Sequence, residues 1–188
     1  METLFVSTLV VALGEIGDKT QLLALLLAAR FRRPVPIVIG ILCATLANHT
    51  MAGFVGAWVR TALAPETLHW ILGVSFIAIG LWALKADTME SEATALGGYG
   101  VFLVTLATFF LAEMGDKTQL ATVALAARFD GLALVVAGTT LGMLIADVPA
   151  VFLGDKAAPR IPFKLVRGIA AALFVALGVG ALLSGALG

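Results

Sequence analysis

The 188-residue chain contains one cysteine, one tyrosine, two histidines and no net formal charge. A single thiol, Cys43, cannot close an intrachain disulfide, and one cysteine with two histidines cannot build a zinc cluster, so Cys43 reads as a packing residue in an apolar run. With 12 basic and 12 acidic side chains the protein has no global field to attract nucleic acid or an acidic partner. Charge of either sign is scarce, at 13% of residues, where soluble domains carry about one-quarter. The opening METLFVSTLVVALGEIGDK has no basic segment before its apolar core and no small-residue cleavage site behind it. It is therefore expected to stay as a membrane span rather than be removed as a signal peptide. Ser7, Ser75, Ser91 and Ser184 lie in no nucleophile motif, with only His49 and His69 as possible bases. A hydrolase is not supported, and the protein is expected not to be an enzyme.

Apolar residues are what the chain has in excess: 61% hydrophobic and a mean hydropathy of +1.06, the composition of an all-α integral membrane protein. Runs long enough to cross about 30 Å of hydrocarbon fall at 4–29, 35–59, 68–84, 99–127, 132–154 and 163–187, which predicts six transmembrane helices. Turn and charge signals separate them: RFRRPVP at 30–36, RTALAPE at 60–66, an acidic stretch after Lys85, RFDG at 128–131 and DKAAPRIPFK at 155–164.

LGEIGDKTQLLALLLAARF, from residue 13, and LAEMGDKTQLATVALAARF, from residue 111, agree at 13 of 19 positions, an offset of 98. The same offset pairs Gly40 with Gly138, His49 with Asp147, and FIAIG at 76–80 with FVALG at 174–178. The expected organisation is a three-helix repeat at 1–85, a cytoplasmic linker at 86–98 and a second repeat at 99–188. Three spans per unit make the second copy enter the membrane from the opposite side, the inverted-repeat design of many secondary transporters. Loops one, three and five hold Arg30, Arg32, Arg33, Lys85, Lys156, Arg160, Lys164 and Arg167, whereas loops two and four hold only Arg60 and Arg128. By the positive-inside rule both termini face outward. Trp58, Trp70, Trp82 and Tyr99 stand near span ends, as interfacial anchors or as packing aromatics.

The repeated motif places Glu15, Asp18, Lys19, Glu113, Asp116 and Lys117 inside apolar runs. Glu15 is 15 residues from Arg30, about 22 Å at 1.5 Å per residue. Glu113 is equally far from Arg128 at the opposite face, so in a layer about 40 Å thick both lie near the midplane. Glu and Asp are three apart in each motif, so Glu15 and Asp18 are expected to share one helical face, as are Glu113 and Asp116, with Gln21 and Gln119 continuing the stripe and Lys19 and Lys117 at the ion-pair spacing four residues after their Glu. Each such charge costs about 2.5–3.5 kcal/mol on insertion scales, roughly 15–20 kcal/mol for six. Partners or a bound ion must compensate them. Interhelical salt bridges are one solution, but four carboxylates face two lysines even before Asp147 is counted, and buried ion pairs are a poor source of stability. Gly17 and Gly115 permit either tight helix packing or a local break, and Thr20 and Thr118 add hydroxyls.

A set of carboxylates, amides and hydroxyls with at most one imidazole suits a hard divalent cation such as calcium, manganese or magnesium. The candidate metal ligands are Glu15, Asp18, Gln21, Glu113, Asp116 and Gln119. Supporting or proton-coupling roles fall to Lys19, Thr20, Lys117, Thr118, Asn48, His49 and Asp147. Metal and protons compete for the same carboxylate oxygens, which is the elementary chemistry of exchange.

Two copies of E-x-G-D-K-T, EIGDKT and EMGDKT, each in the first helix of a three-helix repeat, resemble the cation/proton antiporters that include Golgi calcium and manganese transporters and bacterial manganese exporters. The resemblance runs over essentially the whole chain. It implies export of manganese, or secondarily calcium, from the cytoplasm in exchange for protons, with Glu15, Asp18, Glu113 and Asp116 as ion-binding acids. It implies no permanent cofactor, and its partners are the divalent ion, protons and the lipid bilayer, in the inner membrane of a bacterium. A small-solute or amino-acid exporter and a divalent cation channel are the alternatives. Clustered acids fit an organic zwitterion poorly, and dependence on a pH gradient separates antiporter from channel.

Overall fold

The computed structural model describes residues 1–85, 100–153 and 163–186. The expected linker at 86–98, Tyr99, Lys156 and Arg160 lie outside the described residues. Within the described residues the regular structure is entirely α-helical, with eight helices: α1 (Glu2–Glu15), α2 (Lys19–Phe31), α3 (Pro34–Ala62), α4 (Pro65–Ala83), α5 (Val101–Glu113), α6 (Lys117–Arg128), α7 (Leu132–Leu153) and α8 (Phe163–Ala186). Pro34 and Pro65 open α3 and α4, where a missing N–H costs nothing because the first turn has no intrahelical acceptor for it.

Four stretches are long and apolar enough to cross a membrane: Pro34–Ala62, Pro65–Ala83, Leu132–Phe152 and Lys164–Ser184. The two motif segments differ from expectation. In place of continuous helices over 4–29 and 99–127, each is broken at its motif into halves of 14 and 13 residues (α1, α2) and of 13 and 12 residues (α5, α6). Each half is roughly 20 Å long or less at 1.5 Å per residue, too short to span hydrocarbon alone.

Helix α3 packs against α5 and α6, α7 packs against α1 and α2, and α4 lies along α8. The long helix from each half of the sequence thus supports the broken segment of the other half. Small residues permit the crossings: a Cβ on Gly40 would fall 2.7 Å from Thr105 Cβ, and one on Gly138 would fall 2.8 Å from Ser7 Cβ. Gly40 with Gly138, and Ser7 with Thr105, are each 98 apart, so one contact is made twice. Where lipid is as apolar as the side chains, such close packing is what holds helices together.

Among the described residues the interior has two apolar clusters. One joins Val10 of α1, Leu68, Leu72 and Phe76 of α4, Ala121, Ala124 and Leu125 of α6, and Phe174 of α8. The other joins Leu23 and Leu27 of α2, Ile37 and Ile41 of α3, Val104 and Phe109 of α5, and Ala150 and Val151 of α7. Neither α4 nor α8 contributes to the second. Phe5, Phe54, Val74, Leu103, Phe152 and Leu183 are exposed on the outside, a surface suited to hydrocarbon rather than water.

Candidate metal centre

Each motif is an extended turn between two half-helices. Ile16 has φ −63° and ψ 115°, Gly17 has φ +83°, and Asp18 has φ −86° and ψ 170°. Met114, Gly115 and Asp116 repeat this shape, with φ +73° at the glycine. A positive φ is where glycine is favoured, since it has no Cβ to clash. The freed backbone groups need partners, since the membrane interior supplies none. Asp18 N–H donates to the Glu15 carbonyl at 3.0 Å and Asp116 N–H to the Glu113 carbonyl at 3.1 Å. Gly17 N–H donates to Gln21 Oε1 at 3.0 Å and Gly115 N–H to Gln119 Oε1 at 2.7 Å. Glu therefore ends one half-helix and Asp caps the next. The shared face expected for Glu15 with Asp18, and for Glu113 with Asp116, does not form, because helical spacing has no meaning across the break.

The lysines also pair differently from the one-turn spacing. Lys117 pairs with Asp18, and Lys19 Nζ lies 3.2 Å from Asp116 Oδ1. Each lysine crosses to the aspartate of the other motif, tying the two halves together. The two pairs are unequal: the Lys117 side chain is 3% exposed and that of Lys19 30%.

The glutamates are left over. Glu15, Glu113 and Asp116 are buried, and one carboxylate oxygen from each lies within 4.8 Å of the others. Among the described residues Glu15 has no lysine or arginine within ion-pair distance; its Oε2 accepts a hydrogen bond from the Thr20 hydroxyl, and its Oε1 has no hydrogen-bond partner. Among the described residues neither oxygen of Glu113 has a hydrogen bond either, and His49 Nε2 lies 3.5 Å from its Oε2. Among the described residues both oxygens of the fully buried Asp147 likewise lack a hydrogen-bond partner. Lysine pairing therefore accounts for the aspartates of the two motifs and not for Glu15, Glu113 or Asp147. Buried, unpartnered carboxylate oxygens are costly, and a divalent cation is the ligand that such a set of convergent oxygens fits.

The other expected residues surround this cluster. Gln21 Nε2 donates to the Ala146 carbonyl at 3.0 Å, Gln119 Nε2 donates to Asn48 Oδ1, and Asn48 Nδ2 donates to the Phe110 carbonyl at 3.2 Å. Thr118 Oγ1 lies 3.5 Å from Asp116 Oδ2. Composition and spacing do not single out Thr45, whose buried hydroxyl lacks a partner. Its signal is position: Thr45, Asn48 and His49 stand at i, i+3 and i+4 of one helix face. Nor does spacing reveal Arg60, which donates to the Phe129 carbonyl at 3.1 Å and pairs with Asp130.

The model of the divalent cation/proton antiporter family GDT1 matches residues 3–91 and again 101–188. The chain is 46% identical to a candidate manganese exporter of Vibrio cholerae, over 95% of this chain and 90% of that protein. It is 32% identical to a GDT1-like protein of Synechocystis, over 91% and 92%, and 26% identical to GDT1-like protein 5 of Arabidopsis thaliana, over 92% and 91%. No solved structure matches. A family model that fits both halves, on a chain whose buried acids converge from both, leads to one conclusion: this protein belongs to the GDT1 family of divalent cation/proton antiporters.

Proposed function

We propose that the protein exports manganese, with calcium as the second candidate, from the cytoplasm in exchange for protons. The observation that carries this reading is the convergence of Glu15, Glu113 and Asp116, contributed by both motifs, with the glutamates outside the crossed lysine pairs. The cation is cargo, held chiefly by these three acids, with Asp18, His49 and Asp147 nearby; protons take the same oxygens when it leaves. The burial of Glu15, Glu113 and Asp116 supports a carrier over an open channel, and offers nothing to an organic zwitterion.

The architecture consistent with this chemistry is six crossings as two inverted three-helix repeats, with α1–α2 and α5–α6 each making one interrupted crossing. Broken helices meeting at mid-depth are how such transporters seat ions. With the arginine-rich α2–α3 connection inside, both termini face outward, and the likeness to a candidate bacterial manganese exporter supports a bacterial inner membrane as the setting.

One departure from two-fold symmetry supports a direction. Helix α4 packs against α6, and α8 against α1, but the equivalents by the 98-residue offset, α8 with α2 and α4 with α5, have no comparable packing. Burial follows suit: Ala124 is 4% exposed while its counterpart Leu26 is 42% exposed, and half-buried Leu13 corresponds to Leu111 at 65%. On this reading the outward end is sealed and the cytoplasmic end is the less closed, the state that accepts cargo for export. Closing it brings α8 onto α2 and frees α6 from α4. In a Cys43→Ala background, labelling of Leu26→Cys and of Ala124→Cys should change in opposite senses when manganese is added. Parallel changes, or none, exclude such a rocking motion.

Transport itself is tested by uptake of manganese and calcium into everted vesicles, with and without an acid-inside pH gradient. Gradient-driven uptake of manganese is the expected result. Gradient-independent uptake indicates a channel, and no uptake of either ion overturns the proposal.

A further inference from the structure

We infer that Gln21 and Gln119 are positioning residues rather than cation ligands, and that each couples the broken helix of one half to the long helix of the other. This rests on the transport reading above and specifies a part of it. Both amides are used at both ends. The oxygen holds the motif glycine, Gly17 N–H on Gln21 and Gly115 N–H on Gln119, and so fixes the extended turn from which Glu15 and Asp18, or Glu113 and Asp116, hang. The nitrogen reaches across to the opposite half: Gln21 to the Ala146 carbonyl on α7, and Gln119 to Asn48 Oδ1 on α3. Asn48 and Ala146 are equivalent by the offset of 98 and directly precede His49 and Asp147. Both tethers therefore end one residue before the two buried titratable groups that face the acids. The second tether continues, because Asn48 Nδ2 donates to the Phe110 carbonyl of α5, returning to the same broken segment as Gln119.

Each side chain accepts from a backbone N–H and donates to an amide oxygen, the Ala146 carbonyl for Gln21 and Asn48 Oδ1 for Gln119, which a side-chain amide does with its two ends. Glutamate keeps the acceptor and loses the donor, and at position 21 it would face a carbonyl oxygen that cannot turn away. A ligand would respond the opposite way, since a carboxylate binds a hard cation at least as well as an amide does. The test is manganese transport kinetics of Gln21→Glu and Gln119→Glu in everted vesicles, together with manganese affinity of the purified full-length proteins. As positioning residues, both variants lose about tenfold or more in maximal rate, with KM and affinity for manganese within about threefold of the parent, and Gln21→Glu is the worse. Asn48→Ala adds little to the rate loss of Gln119→Ala, because both cut one tether. A tenfold change in manganese affinity, in either direction, with the maximal rate preserved, overturns the assignment and makes the glutamines ligands. If the parent neither binds nor moves manganese or calcium, the transport reading falls and this assignment falls with it.

Discussion

Glu113→Gln is expected to abolish proton-driven cation uptake while leaving the protein folded. The substitution preserves shape and removes the charge from a side chain that is fully buried and whose two oxygens have no hydrogen-bond partner. Burying such a group ionised and unpaired costs stability, so the amide should be tolerated at least as well as the acid when no cation is bound. The loss of transport should exceed the roughly 10- to 100-fold that changes in groups merely supporting a metal site produce. Glu15→Gln should behave alike, although the Thr20 hydroxyl then faces a different acceptor. Uptake in everted vesicles, with thermal unfolding of the detergent-purified protein as control, separates the two contributions. Uptake within a few-fold of the parent, at equal expression, would remove the glutamates from the transport path.

The crossed ion pairs carry the second large effect, and it is one of stability. Lys117→Met leaves Asp18 without its lysine in a site where the lysine is 3% and the aspartate 0% exposed. Removing one member of a buried pair costs about 3–5 kcal/mol, because the remaining charge is uncompensated. Lys117→Met should therefore unfold at markedly lower temperature. Lys117→Met with Asp18→Asn should recover most of the loss, since both charges of the pair are then removed together. Lys19→Met should be milder, because Lys19 is 30% exposed and its pair with Asp116 is less buried than that of Lys117 with Asp18. Unfolding temperatures of the three variants decide this, and equal temperatures for Lys117→Met and the parent would refute it. Transport by Lys19→Met addresses a separate point. Unchanged exchange would mean that Lys19 does not neutralise the acids when the cation is absent.

Much of this site is legible in the amino-acid sequence, for physical reasons. Charges inside long apolar runs are expensive enough to be noticed, and EIGDKT and EMGDKT present six of them. The surplus of carboxylates over lysines also survives folding: the pairs that form engage Asp18 and Asp116, and Glu15 and Glu113 stay outside them. What spacing alone misjudges is the local backbone. A glycine between Glu and Asp is compatible with a tightly packed helix or a break; the structure has the break, with the glycine N–H held by Gln21 or Gln119. Once the chain is broken there, every inference from the i, i+3 and i, i+4 rules fails across it.

By itself, then, the sequence determined the class of molecule, the duplication at 98 residues, the chemical character of the cargo and the acids proposed to receive it, because composition and periodicity act locally and additively. Tertiary structure alone decided who pairs with whom. Lys117 meets Asp18, 99 residues away, Gln119 meets Asn48, and α4 and α8 close against α6 and α1 but not against α5 and α2. Two nearly identical motifs carry no local signal of such asymmetry. It arises only when the halves pack against each other, where one tight interface excludes its symmetry-related twin.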